Sequence, residues 1–186
     1  VIIDFDDFWQ NNHRLDLLER LHGANSSFRC TLFAIPGLGG PDGSFWSSVP
    51  DWCELAVHGW FHGEPATECL SWDYWRMRDV IEWRPERFVR GFKAPGWQIS
   101  DECYTALLDC GWWVADQPYN DARRPRGLRV HRLGDGEHWH GHIQNVCGNG
   151  IEERFDELLA LVESTDQFSF VSETVHEWRP ALAGVS

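Results

Sequence analysis

Short apolar runs alternate with amphipathic helical patterns along this chain, and that alternation constrains its fold more than any other feature. Residues 1–5, 29–35, 53–57, 88–94 and 112–115 read as buried strands. Residues 127–133 and 137–144 give two more, joined by a Gly134-Asp135-Gly136 turn, and 168–172 a last one. Between them, Leu15, Leu18 and Leu21 recur at helical spacing up to a stop at Gly23. Ser71 can cap a helix over 71–81, and Ser100 one that runs to Cys110 and ends at Gly111. Ile151, Phe155, Leu158, Leu159 and Val162 line one helical face. Residues 36–43 form a Gly- and Pro-rich loop. Strands alternating with helices predict an α/β domain built on a mainly parallel sheet, closed into a barrel or left open. Without a repeat or linker, residues 1–186 read as one domain.

In a parallel sheet, polar residues just past the strand ends converge on one face, where α/β sites form. The first such cluster is Asp4-Phe5-Asp6-Asp7. Neighbours in a strand point to opposite faces, so Asp6 and Asp7 share a site only if the strand ends there. The second is His58-Gly59-Trp60-Phe61-His62, whose histidines can bind one cation together. Two imidazoles and a carboxylate at strand ends suit a divalent ion with positions left for water. The third is the Pro-Gly turn after Lys93, in Phe92-Lys93-Ala94-Pro95-Gly96-Trp97, where the lysine places a cation near the carboxylates. The fourth is Glu137-His138-Trp139-His140-Gly141-His142. If extended, its three imidazoles share a face, where they can move protons, bind a second metal or line an edge.

The charge of −13 opposes binding to nucleic acid, since no basic stripe offsets it. No apolar run is long enough to span a membrane. Neither a basic-then-apolar leader nor a CxxC pair is visible, and the six cysteines (30, 53, 69, 103, 110 and 147) read as buried reduced thiols. The expected compartment is the cytoplasm. Among twelve tryptophans, Trp9, Trp60, Trp97 and Trp139 lie beside the polar clusters. With Pro95 they are candidate substrate-binding residues, because flat aromatic faces suit a sugar ring.

The order of these clusters resembles the NodB-homology polysaccharide deacetylases, carbohydrate esterase family four, over nearly the whole chain. That family has an Asp-Asp pair after its first strand, a His-x-x-x-His motif, an Arg-containing Pro motif, a hydrophobic-Asp strand and a late His. The counterparts are Phe5-Asp6-Asp7, the stretch ending in His58-Gly59-Trp60-Phe61-His62, Phe92-Lys93-Ala94-Pro95-Gly96, Trp113-Val114-Ala115-Asp116 and residues 138–142. The resemblance implies a distorted (β/α) barrel and a metal held by Asp7, His58 and His62, most naturally zinc, with Co, Ni, Fe or Mn also suited. It further implies Asp6 as general base, and His142, or else His140, as general acid. Lys93 stands where the family has Arg, keeping the charge without the planar fork. Phe8 replaces the usual Gly after the Asp pair. The implied activity is removal of an N-acetyl group from an amino sugar or polysaccharide. Two alternatives stay open: a degenerate carbohydrate-binding module, and a deacylase of a small N-acyl metabolite.

Overall fold

The computed structural model describes residues 1–40, 43–63, 66–144, 146 and 148–179. Eight strands form one sheet in the order β7-β1-β2-β3-β4-β5-β6-β8. In chain order they are β1 (Ile2–Phe8), β2 (Cys30–Ala34), β3 (Cys53–His58), β4 (Gly91–Lys93), β5 (Trp113–Asp116), β6 (Arg129–Arg132), β7 (His138–His142) and β8 (His176–Glu177). Every pairing is parallel except β6 with β8. The helices are α1 (Leu15–Ala24), α2 (Ser44–Ser48), α3 (Tyr74–Trp83), α4 (Asp101–Asp109) and α5 (Phe155–Glu163).

Strand alternation divides the buried residues into two layers. Ile3, Phe5, Leu32, Leu55, Val57, Phe92 and Val114 face outward and pack with the helices in the main core. Ile2, Phe33, Ala56, Trp113 and Ala115 point the other way into a smaller inner core. Inner packing is tight: a Cβ on Gly91 would lie 2.1 Å from the Trp113 ring. The sheet curls until strands far apart in its order face each other, and His131 of β6 meets His138 of β7 at 3.2 Å. The architecture is therefore a half-barrel, in agreement with the distorted barrel expected. The turn at 134–136 carries the chain from β6 to β7 without pairing them.

Several local expectations need correction. Asp73, not Ser71, caps α3, because its carboxylate accepts the Arg76 N–H at 2.8 Å. Helix α1 continues through Gly23 to Ala24. Residues 168–172 give a single bridge, Ser169 to Ile2, before a 3₁₀ turn at Val171–Glu173, and the last strand is β8. Ser100 caps α4 as expected, accepting the Cys103 N–H. Cys30, Cys53, Cys69 and Cys103 are buried free thiols and Cys110 is half-buried; Cys147 lies outside the described residues. Among the described residues no helix is long and apolar enough to cross a membrane.

Candidate metal centre

The inner face carries the polar clusters. Asp4 and Asp6 alternate with Ile3 and Phe5 on β1 and so point inward. Parallel pairing sets Asp4 beside His140 and Asp6 beside His142, while His58 of β3 lies beside Lys93 of β4. Asp7 reaches the same face through a bulge. Phe5 pairs with Leu32 and Phe8 with Ala34, so three steps on β1 oppose two on β2. Asp7 takes up the extra residue at φ 64°. The strand therefore continues past Asp6 and Asp7 instead of ending there, and the bulge brings the two acids together.

Asp7 Oδ1 lies 3.1 Å from His62 Nε2 and 3.5 Å from His58 Nε2. One ligand atom from each of these residues falls within 4.8 Å of the others. His58 Nδ1 donates to the Lys93 carbonyl at 3.0 Å, which leaves Nε2 bare and aimed at Asp7. Metal-binding histidines are held in this way. Asp7 Oδ1 is buried yet accepts no well-formed hydrogen bond, a costly state unless a cation satisfies it. The donor set and this orphaned oxygen fit a divalent metal. Burial raises the Asp7 carboxyl, but the hydrogen bond from His142 and the His58 and His62 rings outweigh it and hold it far below the carboxylate range. Burial lowers His58, and Asp6 and Asp7 more than reverse this, so its pKa rises above the ordinary imidazole value.

His62 is placed by a loop with two left-handed residues, Gly59 at φ 62° and His62 at φ 49°. Glu68 binds that loop: its Oε1 accepts the N–H groups of Trp60 at 2.8 Å and His62 at 3.0 Å. A Cβ on Gly59 would stand 2.0 Å from that oxygen and 2.8 Å from Pro95.

Lys93 is 1 % exposed, far from the usual surface fate of lysine. Its ammonium lies 2.6 Å from Asp6 Oδ1 and 3.1 Å from Asp4 Oδ1, over the rings of Phe33 and Trp97. Asp4 also receives His140 Nδ1 at 2.8 Å and, in a very short contact, His138 Nε2. Burial pushes the Asp4 carboxyl up, but Lys93, His140 and His138 together hold it well below its ordinary value. His142 Nδ1 meets Asp7 Oδ2 at 2.9 Å. Asp6, His140 and His142 also cluster within 4.8 Å. A second dication there would face the Lys93 ammonium, so this side suits proton transfer better than metal binding.

The candidate substrate-binding residues divide. Trp97 is half-buried, with its ring 5.9 Å from that of His140. Pro95 is buried at the start of its 3₁₀ turn. Trp60 is half-buried against Phe61 and Trp83. Trp9 is half-buried after β1 and packs on the main core. Trp139 is a correction: alternation turns it away from the three histidines, onto Phe5 at 5.3 Å and beneath Arg154. Asp116 takes no part in the histidine cluster. It binds Tyr104, Asn120 and Arg124 in a buried network of its own. Glu68 and His131 are polar groups of the inner face and its loop that the sequence did not single out, and Asp4, named in the first cluster, has no role assigned by it. Asp4 had a usable signal, since it lies two residues before Asp6 and so shares its face.

No protein-family model matches the sequence, and no curated protein matches it. Solved structures do. The Xyl-CE4 domain of a multidomain xylanase from the hindgut metagenome of Trinervitermes trinervoides superposes with a TM-score of 0.57 at 16% identity, covering 92% of this chain and 87% of that one. A family 4 acetyl xylan esterase from Clostridium thermocellum, in complex with a cobalt ion, gives 0.60 at 15%, covering 92% and 88%. A structure described as T48 deacetylase with substrate gives 0.60 at 10%, with the same coverage. The likeness is one of fold and spans nearly the whole chain.

Proposed function

We propose that this chain is a divergent family 4 carbohydrate esterase, a divalent-metal-dependent hydrolase that removes an acetyl group from a carbohydrate. The observation that carries this reading is the Asp7–His58–His62 cluster with its orphaned oxygen, next to an Asp6 paired with a buried lysine. Asp7, His58 and His62 would hold the metal, zinc or one of the divalent ions of similar ligand preference; cobalt is the ion in the Clostridium thermocellum structure. A bound ion supplies Lewis acidity, polarising the acyl carbonyl and acidifying a water.

The protein's own groups supply the proton transfers. Lys93 pairs with Asp6 Oδ1, which leaves Oδ2 to take the proton of the attacking water. A histidine of β7, His140 or His142, then protonates the departing group, a task that suits imidazole. Trp97, and at the rim Trp60, offer aromatic faces to a sugar ring.

The leading substrate is an N-acetylated sugar. The acetyl xylan esterase among the structural neighbours favours an O-acetyl ester as a second reading of the same site. Protein loaded with zinc or cobalt should release acetate from N-acetylglucosamine oligomers or acetylated xylan. Asp6→Asn should lower turnover by about 100-fold or more while metal content stays unchanged. Acetate release from neither substrate with any of the five metals would overturn the reading. Full activity of Asp6→Asn would remove Asp6 from the base role.

A further inference from the structure

The proposed chemistry leaves two histidines for one proton donor. Their supports differ. His142 leans on Asp7, a member of the metal triad, whose negative charge a bound cation would take up. His140 leans on Asp4, which belongs to no ligand set and keeps its charge for the imidazole. Asp4 is 1 % exposed and meets His140 Nδ1 at 2.8 Å, while the Lys93 ammonium stands farther from that nitrogen, at 3.3 Å; the shorter contact with an acceptor-only carboxylate places a hydrogen on Nδ1. The other nitrogen, Nε2, then lies 3.8 Å from Asp6 Oδ2, facing the base.

Asp4 is fixed from its far side by a chain that crosses the barrel seam. Thr174 donates its hydroxyl hydrogen to the Val171 carbonyl at 2.8 Å, so its oxygen accepts from His131 Nδ1 at 2.9 Å. His131 Nε2 is thereby an acceptor and takes the hydrogen of His138 Nδ1 at 3.2 Å. His138 also faces Asp4 through Nε2, so the ring links His131 to Asp4. Burial and the adjacent His138 push the pKa of His131 down to about 4, in keeping with a neutral ring there. The Lys93 ammonium at 3.1 Å, with the His138 and His140 rings, keeps Asp4 ionised.

We propose that Asp4 is a positioning residue that locks His140, not His142, as the proton donor to the leaving group. This rests on the deacetylase reading and deepens it. As the C–N bond breaks, its electron pair leaves with nitrogen and takes the proton from His140 Nε2. The ring returns to the neutral form with its hydrogen still on Nδ1 and donated to Asp4. The site resets when the proton that Asp6 took from water crosses to His140 Nε2.

A donor to the leaving group matters for an amine and little for a leaving group that departs as a stable anion. Zinc-loaded protein would be assayed on N-acetylglucosamine oligomers and on 4-nitrophenyl acetate. His140→Gln and Asp4→Asn should each cut kcat on the amide by about 100-fold, with KM little changed, and the amide should lose at least about 30 times more than the ester. The double variant should be no worse than His140→Gln alone. Equal losses on both substrates, additive losses, or leaving-group dependence in His142→Gln instead would overturn the assignment. Should Asp4→Asn fail to fold, nitrogen-detected NMR of the wild-type histidine rings decides it. A hydrogen on His140 Nδ1 is expected, and the Nε2 tautomer would overturn the proposal. The NMR readout stands apart from turnover, so a wild type inactive on every acetylated glycan would sink the deacetylase reading without being mistaken for a failure of the Asp4–His140 lock.

Discussion

Glu68 offers the sharpest test of how the candidate metal site is built. It is not a candidate ligand. Its Oε1 accepts two backbone N–H groups, from Trp60 and His62, in a loop that holds two left-handed residues. Hydrogen bonds to a charged acceptor contribute about 1.5–3 kcal/mol each, and the half-buried position of Glu68 puts them at the low end. Two bonds at about 1.5 kcal/mol give about 3 kcal/mol. In Glu68→Ala the loop loses that support and must be reordered when the metal binds. At about 1.4 kcal/mol per decade of affinity, zinc binding should weaken by about 100-fold, measured by competition with a chromophoric chelator. Glu68→Gln keeps an acceptor oxygen and should fall in between. The global fold should persist, because the main core on the sheet's other face is untouched. Wild-type zinc affinity in Glu68→Ala would refute the reasoning and show that His58, His62 and Asp7 hold their geometry without the loop.

Lys93→Met should leave Asp6 a buried anion without its ammonium, take one of three partners from Asp4, and cost about 3–5 kcal/mol, seen as a large drop in Tm; an unchanged Tm would mean that the ammonium does not hold the inner face together. Removing one partner of a buried pair in this way measures the charge left behind, not the net worth of the pair. His131 gives a pH prediction. Its folded pKa of about 4 lies below its unfolded value, so between about pH 6.5 and 4 the unfolded chain binds more protons. The stability it contributes is complete above about pH 6.5 and is lost as pH falls towards 4, by about 3 kcal/mol. His131→Gln should flatten that part of the denaturation-versus-pH curve. Metal binding should weaken as pH falls through the raised His58 pKa, since a ligand ring must shed its proton; isothermal titration at two pH values would show it, and a pH-independent affinity would exclude His58 as a ligand.

How much of this the sequence disclosed depends on the range of the interaction. The main strands, their inward parity and the convergence of Asp6, His58, Lys93 and the β7 histidines follow from short-period patterns that any reader of the chain can count. Trp139 adjoins the histidines in sequence, but the same parity turns its ring to the opposite face, onto Phe5. The bulge at Asp7 is invisible because it depends on the pairing of β1 with β2, and no residue type there announces a left-handed φ. Glu68 is an acid in a loop with no local pattern, and its role exists only once the His62 backbone has turned towards it. Residues 168–172 have strand-like composition, but only Ser169 finds a partner strand, so the segment tightens into a 3₁₀ turn instead.

Backbone strain gathers where the chemistry is proposed. The non-glycine residues with positive φ among the described residues are Asp7, Arg14, His62 and Trp97. Three of these four lie at the inner-face site, and conformations of this kind cost about 1–3 kcal/mol each. Each is held by one side chain on its backbone. Asn12 Nδ2 donates to the Asp7 carbonyl at 2.8 Å, Glu68 accepts the His62 N–H at 3.0 Å, and Asn120 Nδ2 donates to the Trp97 carbonyl at 3.1 Å. The third clamp explains the separate network around Asp116. Asp116 Oδ1 accepts from Asn120 at 2.8 Å and fixes the amide that holds Trp97, whose ring covers Lys93 at 4.3 Å. A carboxylate that never reaches the metal cluster thus acts on it at second hand, through an amide, a strained backbone and an aromatic ring. The half-barrel supplies the inward directions, and these three clamps set the angles at which Asp7, His62 and Trp97 enter the site.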